Sequence, residues 1–363
     1  MTERQMLYGL SRLEFLTANR FEALLEEEGS VEAVYNIEEK RLAELGLSEG
    51  QVERWKKLRH SQGQLSISYH REVGKGIRFI SRIDHDFPEK LKPYTGCPIG
   101  IYVKGKLPDP NRKTVALVGA RTCSSYGRGL AEKFGRELAE AGVSVVSGMA
   151  AGIDGIGQMA AIKAGGESFG VLGCGVDVVY PPENEELYRE LEKKGGLISE
   201  YVPGRPPLSI QFPPRNRIIS AFCDCLIVVE ARKKSGTLIT TDFALEQGKY
   251  IGAVPGRVGD RLSEGCNELI QTGAFLIQDT KDILNILGIP LKIDKKKIKN
   301  VNKSLASLEK TVYSCLGLVP KHLEEVVDEV KLPMAKVTEA LLTLELDGWI
   351  GRVGANEYVK KPG

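Results

Sequence analysis

The sequence predicts an α/β protein: a buried parallel sheet in the middle of the chain, a small helical bundle before it and a winged helix after it. Three observations carry this. Between about residues 75 and 287, short apolar runs alternate with amphipathic helical stretches, the pattern of strands covered on both faces. Residues 1 to about 70 give helical signals only. The last segment, from about 304, gives three helical stretches and then a hairpin.

Taken in order, Leu7, Leu10, Leu13 and Leu16 recur at helical spacing. Gly29-Ser30 separates two further helical runs, and Leu45-Gly46-Leu47-Ser48 ends in a cap for Glu49–Leu58. Such a bundle suits an interaction module better than a DNA contact. Val115–Val118 is the first clear strand of the middle region. Leu130, Phe134, Leu138 and Ala141 share a helical face that Gly142 ends. Strand Val143–Val146, helix Ile153–Ala164 and strand Phe169–Leu172 follow. Leu226–Val229, the helix Thr237–Gln247 and Tyr250–Val254 complete the set. Residues 288–303 form a Lys-rich, solvated linker; Leu291–Lys303 holds six Lys and one acid. In the winged helix, Pro333–Leu346 takes the recognition position. Its mixture of Lys336 with Glu339 and Glu345 favours a protein contact over a DNA groove.

Composition bounds the function. The 363 residues, 42% hydrophobic and 27% charged, give room for two or three domains with ordinary cores. No apolar run approaches the roughly 20 residues that cross a bilayer, and MTERQMLYGL lacks the apolar core of a signal peptide. Seven scattered Cys and four dispersed His, at 60, 70, 85 and 322, argue against a metal site. Cys223 and Cys225 read as buried thiols. The expectation is a reduced, cytoplasmic protein with no membrane contact, no metal and no cofactor. Net charge is only +2, but Pro203–Ser220 carries Arg205, Arg215 and Arg217 with no acid, and Arg232, Lys233 and Lys234 follow. A local positive field is compatible with that total.

The chemistry collects at the strand ends, where ligands of parallel sheets bind. The first strand runs into Gly119-Ala120-Arg121 and Ser124-Ser125-Tyr126-Gly127, a glycine-rich turn that opens a helix and offers N–H groups to an anion. It has neither the G-x-G-x-x-G of dinucleotide sites nor a P-loop lysine. The others run into Gly148-Met149-Ala150-Ala151-Gly152, into Gly173-Cys174-Gly175 and into Lys234-Ser235-Gly236-Thr237. Four such turns on one sheet edge suggest an extended anion-binding cleft. Phe212–Arg217, FPPRNR, adds a ring and two guanidiniums on what its prolines predict to be a stiff, irregular loop. A face for stacking beside forks for phosphate suits a single nucleic-acid strand. Taken alone, the cluster fits a core Phe and two salt bridges better; the strand-end turns around it shift the balance.

The ordered series GARTCSSYGRG, SGMAAGIDGIG, VLGCGVDVVYPPEN, SEYVPGRPP, FPPRNRIIS, VVEARKKSGTLITT and AVPGR resembles the DprA (Smf) family of bacterial DNA-processing proteins across about residues 110–280. The resemblance implies an extended Rossmann-like fold, flanked by a sterile-alpha-like or helix-hairpin-helix domain and a winged helix. It implies no catalysis. It implies a homodimer that binds and protects single-stranded DNA and loads the RecA recombinase during natural transformation. The implied DNA-binding residues are Arg121, Ser124, Gly148, Phe212, Arg215, Arg217, Lys234, Ser235 and Thr237. Some members carry a Lys three residues before the Phe; here Ser209 stands there.

The main alternative is an enzyme or nucleotide carrier of the related Rossmann-like group, such as the nucleoside-monophosphate phosphoribohydrolases. Their P-G-G-x-G-T-x-x-E signature needs a Glu where this chain has Thr240, which removes the acid–base agent. Asp154, expected to cap its helix, and Asp177, expected to fix a turn, are the remaining acids of the cleft.

Overall fold

The computed structural model describes residues 1–290, 307–317 and 319–360, so most of the Lys-rich stretch expected at 288–303 lies outside the described residues. The chain opens with α1 (Glu3–Leu10), α2 (Ala18–Glu28), α3 (Val31–Asn36), α4 (Glu39–Glu44), α5 (Glu49–His60) and α6 (Gln62–Gly74). Thr2 and Ser48 begin capping boxes, Ser30 caps α3, and Gly29 ends α2 at φ +80°. Leu13 and Leu16 fall beyond the end of α1, yet all four early leucines enter one core with Phe21 and Trp55. The helical spacing therefore marked the buried residues correctly while overstating the helix.

Next come β1 (Ile77–Ser81), β2 (Gly100–Gly105), β3 (Thr114–Val118), α7 (Ser125–Glu140), β4 (Ser144–Ser147), α8 (Ile153–Lys163) and β5 (Ser168–Val171). They are followed by α9 (Glu185–Lys194), β6 (Gly196–Ser199), α10 (Phe212–Phe222), β7 (Cys225–Val228), α11 (Gly236–Glu246) and β8 (Tyr250–Ala253). Then α12 (Glu264–Gln271), β9 (Phe275–Leu276) and α13 (Thr280–Ile286) close the region. The nine strands form one sheet in the order β1-β2-β6-β5-β4-β3-β7-β8-β9. From β6 to β9 it is parallel, as the apolar runs predict; β1 and β2 add an antiparallel margin. Alternation in β3 feeds two layers. Val115 and Leu117 pack with Leu130 and Phe134 of α7, while Ala116 and Val118 pack with Ile218 and Phe222 of α10.

The chain steps from β3 through β4 and β5 to β6 on one side, then returns to β7 on the other side of β3. The turns after β3 and β7 thus diverge across a topological switch point, where open α/β sheets form their binding crevice. The bundle packs on the β1–β2 margin, where Tyr8 meets Phe79 and Tyr102.

FPPRNR is helix, not irregular loop: Phe212 begins α10 with helical dihedrals, and both prolines lie in its first turn. First-turn N–H groups have no acceptor within the helix, so proline costs little there. The final segment comprises α14 (Ser307–Cys315), β10 (Lys321–His322), α15 (Leu323–Val330), α16 (Met334–Leu346), β11 (Ile350–Gly354) and β12 (Glu357–Lys360), with sheet order β10-β12-β11. This is the winged-helix pattern.

Candidate functional site

Two adjoining hollows open at the carboxyl edge of the sheet. The smaller, about 110 Å³, lies among Gly148, Met149, Gly173, Pro181 and Arg215. The wider, about 510 Å³, spans the switch point from Gly119–Thr122 to Arg232 and Ser235–Thr240. Arg121, Tyr180, Phe212 and Arg215 border both.

Phe212 is half-buried and stacks on Tyr180, with centroids 5.5 Å apart and planes 25° from parallel. The guanidiniums of Arg121 and Arg215 each lie 5.8 Å from its ring centroid, within cation–π reach. Starting α10 at Phe212 puts the ring at the cleft and aims Arg215, three residues on, beneath the strand ends.

The two arginines differ in standing. Arg121 is exposed, and among the described residues no carboxylate pairs with it. Arg215 is buried, with Nη1 donating to the carbonyls of Gly148, at 3.0 Å, and Val171. Burial lowers its pKa to about 10 against the attraction of Asp154, so it remains a cation at neutral pH. Asp154 does not cap α8, which starts from Gly152. Its carboxylate instead accepts from the Gly148 N–H at 3.1 Å, and desolvation raises its pKa. A Cβ on Gly148 would lie 2.8 Å from Arg215 Nη2 and 3.0 Å from Asp154 Oδ2, so only glycine lets these charges close around the turn. Met149 beside it holds φ +58°, an uncommon conformation for a side-chain-bearing residue.

Arg217 does not join the cleft. Its Nη1 and Nη2 donate to Glu200 at 2.8 and 2.6 Å, and Nε donates to Gly96 O at 2.9 Å. Burial pulls its pKa down, but Glu200 outweighs that and the net shift is upward. Arg205 likewise pairs with Glu14 of the bundle. Arg205 thus takes its acid from the bundle and Arg217 from just upstream of the acid-free stretch, pairings that a count within the stretch could not reveal.

The anion-binding turns also sort themselves. The α7 start is filled by the protein's own carboxylate: Glu230, just past β7, accepts from Ser124 N at 2.9 Å and from Ser124 Oγ. Ser124 in turn caps Gly127 N at 3.1 Å, and a Cβ on Gly127 would strike Glu230 at 2.4 Å. Ser124 therefore serves the protein's internal bonding. The signal in the sequence was an acid ending an apolar strand opposite a glycine-rich turn. Asp177, expected to fix the turn before Tyr180, binds Gly204 N at 2.6 Å and Lys75 at 3.3 Å.

The α11 start is different. No side chain caps it, Ser235 Oγ is buried without a hydrogen-bond partner, and Ser235, Gly236 and Thr237 face the wide hollow. Lys234 and Arg232 are exposed beside it, and Ser209 lies exposed on the rim. The structure thus gathers Arg121, Gly148, Phe212, Arg215, Ser235 and Thr237 around one cleft, with Lys234 adjacent. Sequence reasoning missed Tyr180 as the ring beneath Phe212.

Residues 78–288 match the family model described as DNA recombination-mediator protein A, and residues 300–356 match the DprA winged helix domain. The chain belongs to the DNA recombination-mediator protein A family. It is 41% identical over 205 residues to DNA processing protein DprA of Streptococcus pneumoniae, covering 56% of this chain and 72% of that protein. It is 35% identical over 273 residues to Protein Smf of Escherichia coli, covering 74% and 73%. Among solved structures, S. pneumoniae DprA matches with a TM-score of 0.66 at 32% identity, over 78% of this chain and 98% of that one. A Helicobacter pylori DNA processing protein A, described by its single-stranded DNA binding mode, matches with a TM-score of 0.52 at 28% identity, over 58% and 95%.

Proposed function

We propose that this recombination mediator binds single-stranded DNA along the carboxyl edge of its sheet, performs no chemistry on it, and hands it to the RecA recombinase in the cytoplasm. The observation that carries the reading is Arg121: an exposed guanidinium, with no carboxylate partner among the described residues, above a ring that borders both hollows. A base stacked on the Phe212–Tyr180 platform must be unpaired to offer its face. Phosphates would meet Arg121, Lys234 and the uncapped start of α11. Asp154, the acid that lines the wide hollow, is bound by Gly148, and Asp177 lies outside both hollows and is bound by Gly204, which supports a binding role over acid–base catalysis. The single-stranded DNA binding mode of the H. pylori relative lends further support.

The protein acts as a homodimer in this reading. Tyr250, Phe275 and Leu276 are about half exposed along the β8–β9 margin, an apolar strand edge that a second copy would cover. Sedimentation at micromolar concentration tests this: a monomer would remove the dimer from the account. Strand exchange on DNA precoated with single-strand-binding protein, with and without this chain, tests the handover to RecA.

The central test is a titration of oligothymidine against a blunt duplex at several salt concentrations. The strand should bind more tightly, and its affinity should fall with salt as counterions are released. Equal affinity for the two would defeat the proposal.

A further inference from the structure

We infer that the loop between β8 and α12 is a second phosphate-contacting station, and that it carries Arg257 and Arg261 to the single strand several nucleotides beyond Phe212. The inference rests on the strand-binding role proposed above. Nothing in the sequence series singles this loop out beyond its opening AVPGR.

The loop has fixed ends and a projecting tip. Asn267 exchanges two hydrogen bonds with Gly256, both at 3.1 Å, and Tyr126 donates to Pro255 O at 3.2 Å. At the other end, Ala231 N donates to Leu262 O at 2.8 Å, and Gly265 N to Ala231 O at 2.9 Å. The loop is thereby sewn to the β7 turn that carries Arg232 and Lys234. Between these anchors, Asp260 N bonds to Arg257 O at 3.2 Å, and Gly259 takes φ +87°, a tight turn whose third residue needs glycine.

The tip points to solvent with its charges uncommitted. Arg257 and Arg261 are exposed, and among the described residues neither has a carboxylate partner. Val258 between them is 99% exposed. The acid of the turn is exposed as well, but it is engaged locally: Asp260 accepts from Leu262 N at 3.1 Å and lies near enough to Glu230 to raise that group's pKa. Lys233, Glu264 and Glu268 complete the charges around the loop, with Lys233 and Glu268 paired at 4.0 Å. Two free guanidiniums flanking an apolar tip fit a chain of phosphates and bases.

Continuity with the cleft selects a nucleic-acid strand as the occupant. Leu262, at the foot of the loop, borders the same hollow as Arg121 and Phe212. Along the sheet order, β5 to β8 is four strand spacings, or about 19 Å at about 4.8 Å each. At the stacked rise of about 3.4 Å per nucleotide, that distance takes about six nucleotides, and fewer where the strand is drawn out. A strand held at Phe212 and running toward β8 passes the α11 start and then reaches this loop.

The test uses the full chain carrying Arg257→Ala and Arg261→Ala together, with oligothymidines of about three and about twelve nucleotides. For the longer strand, the slope of log affinity against log salt should fall by about 1.4, or about 0.7 for each phosphate no longer neutralised. For the shorter strand, which cannot reach from Phe212 to the loop, the slope should not change. Arg121→Ala should lower the slope for both lengths. An unchanged slope with the longer strand, or an equal loss at both lengths, overturns the inference while leaving the cleft reading intact. Failure of the wild-type chain to bind either strand overturns both.

Discussion

Arg217→Ala should unfold the protein more readily without weakening its grip on DNA. The side chain is held by the bidentate pair with Glu200 and by Gly96 O, and the two partners' side chains are only 13% and 15% exposed. Truncation leaves the Glu200 carboxylate almost buried with no cation beside it. Removing one member of a buried pair costs about 3–5 kcal/mol. For a region of about 200 residues, each kcal/mol moves the melting temperature by about 2–4 °C, so the midpoint should fall by roughly 6–20 °C. The loss should be partly recovered in Arg217→Met/Glu200→Leu, which removes both charges and keeps the volume. The assay is circular-dichroism melting of the full chain, paired with fluorescence anisotropy on oligothymidine well below either midpoint. At that temperature the salt slope should match wild type. A midpoint within about 2 °C of wild type, together with a flatter salt slope, would show that Arg217 leaves Glu200 for a phosphate and would refute the reasoning.

Further outcomes follow from the same geometry. Phe212→Ala should cost about 1–3 kcal/mol in oligothymidine affinity with little change in salt slope, because stacking is lost and not charge; a steep loss of melting temperature with unchanged affinity would return Phe212 to the core. Arg121→Ala should leave the melting temperature alone and lower the salt slope by about 0.7, as read by anisotropy. Gly148→Ala should lower the melting temperature and weaken binding together, since its Cβ would lie 2.8 Å from Arg215 Nη2; unchanged values in both assays would refute the close packing. Glu230 has a raised pKa, chiefly from desolvation, so the folded state holds its proton to higher pH than the unfolded chain, and stability is lost as pH rises from about 4.5 through the folded value. The melting temperature of Glu230→Gln relative to wild type should accordingly rise across that window, and a fall would refute the assignment.

What the sequence could and could not disclose divides along physical lines. Apolar runs such as Val115–Val118 and the helix-ending glycines at 142, 165 and 248 are local signals, and the strands and helices formed within a few residues of them. Gly196–Ser199 escaped notice because a four-residue strand with glycine at its start has little pattern to show. FPPRNR misled because proline forbids helix interiors but suits a first turn, and sequence alone does not say which position it holds. The cleft itself was legible from the turns at the strand ends. The partners of the neighbouring arginines were not: Glu14 lies far from Arg205 in sequence, and Glu200, 17 residues before Arg217, follows a strand that the sequence pattern did not mark. Glu230 at the α7 start likewise needed the sheet order, since it follows β7 while Ser124 follows β3.

The claim that a single strand lies over Phe212 is tested most directly by photocrosslinking. An oligothymidine with one thymine replaced by 5-iodouracil would be irradiated with the full chain, and the linked peptides identified by mass spectrometry. Crosslinks to Phe212 or Tyr180, lost when excess unlabelled single strand is added and retained with excess duplex, are the predicted result. Crosslinks confined to the N-terminal bundle or to the winged helix would contradict it.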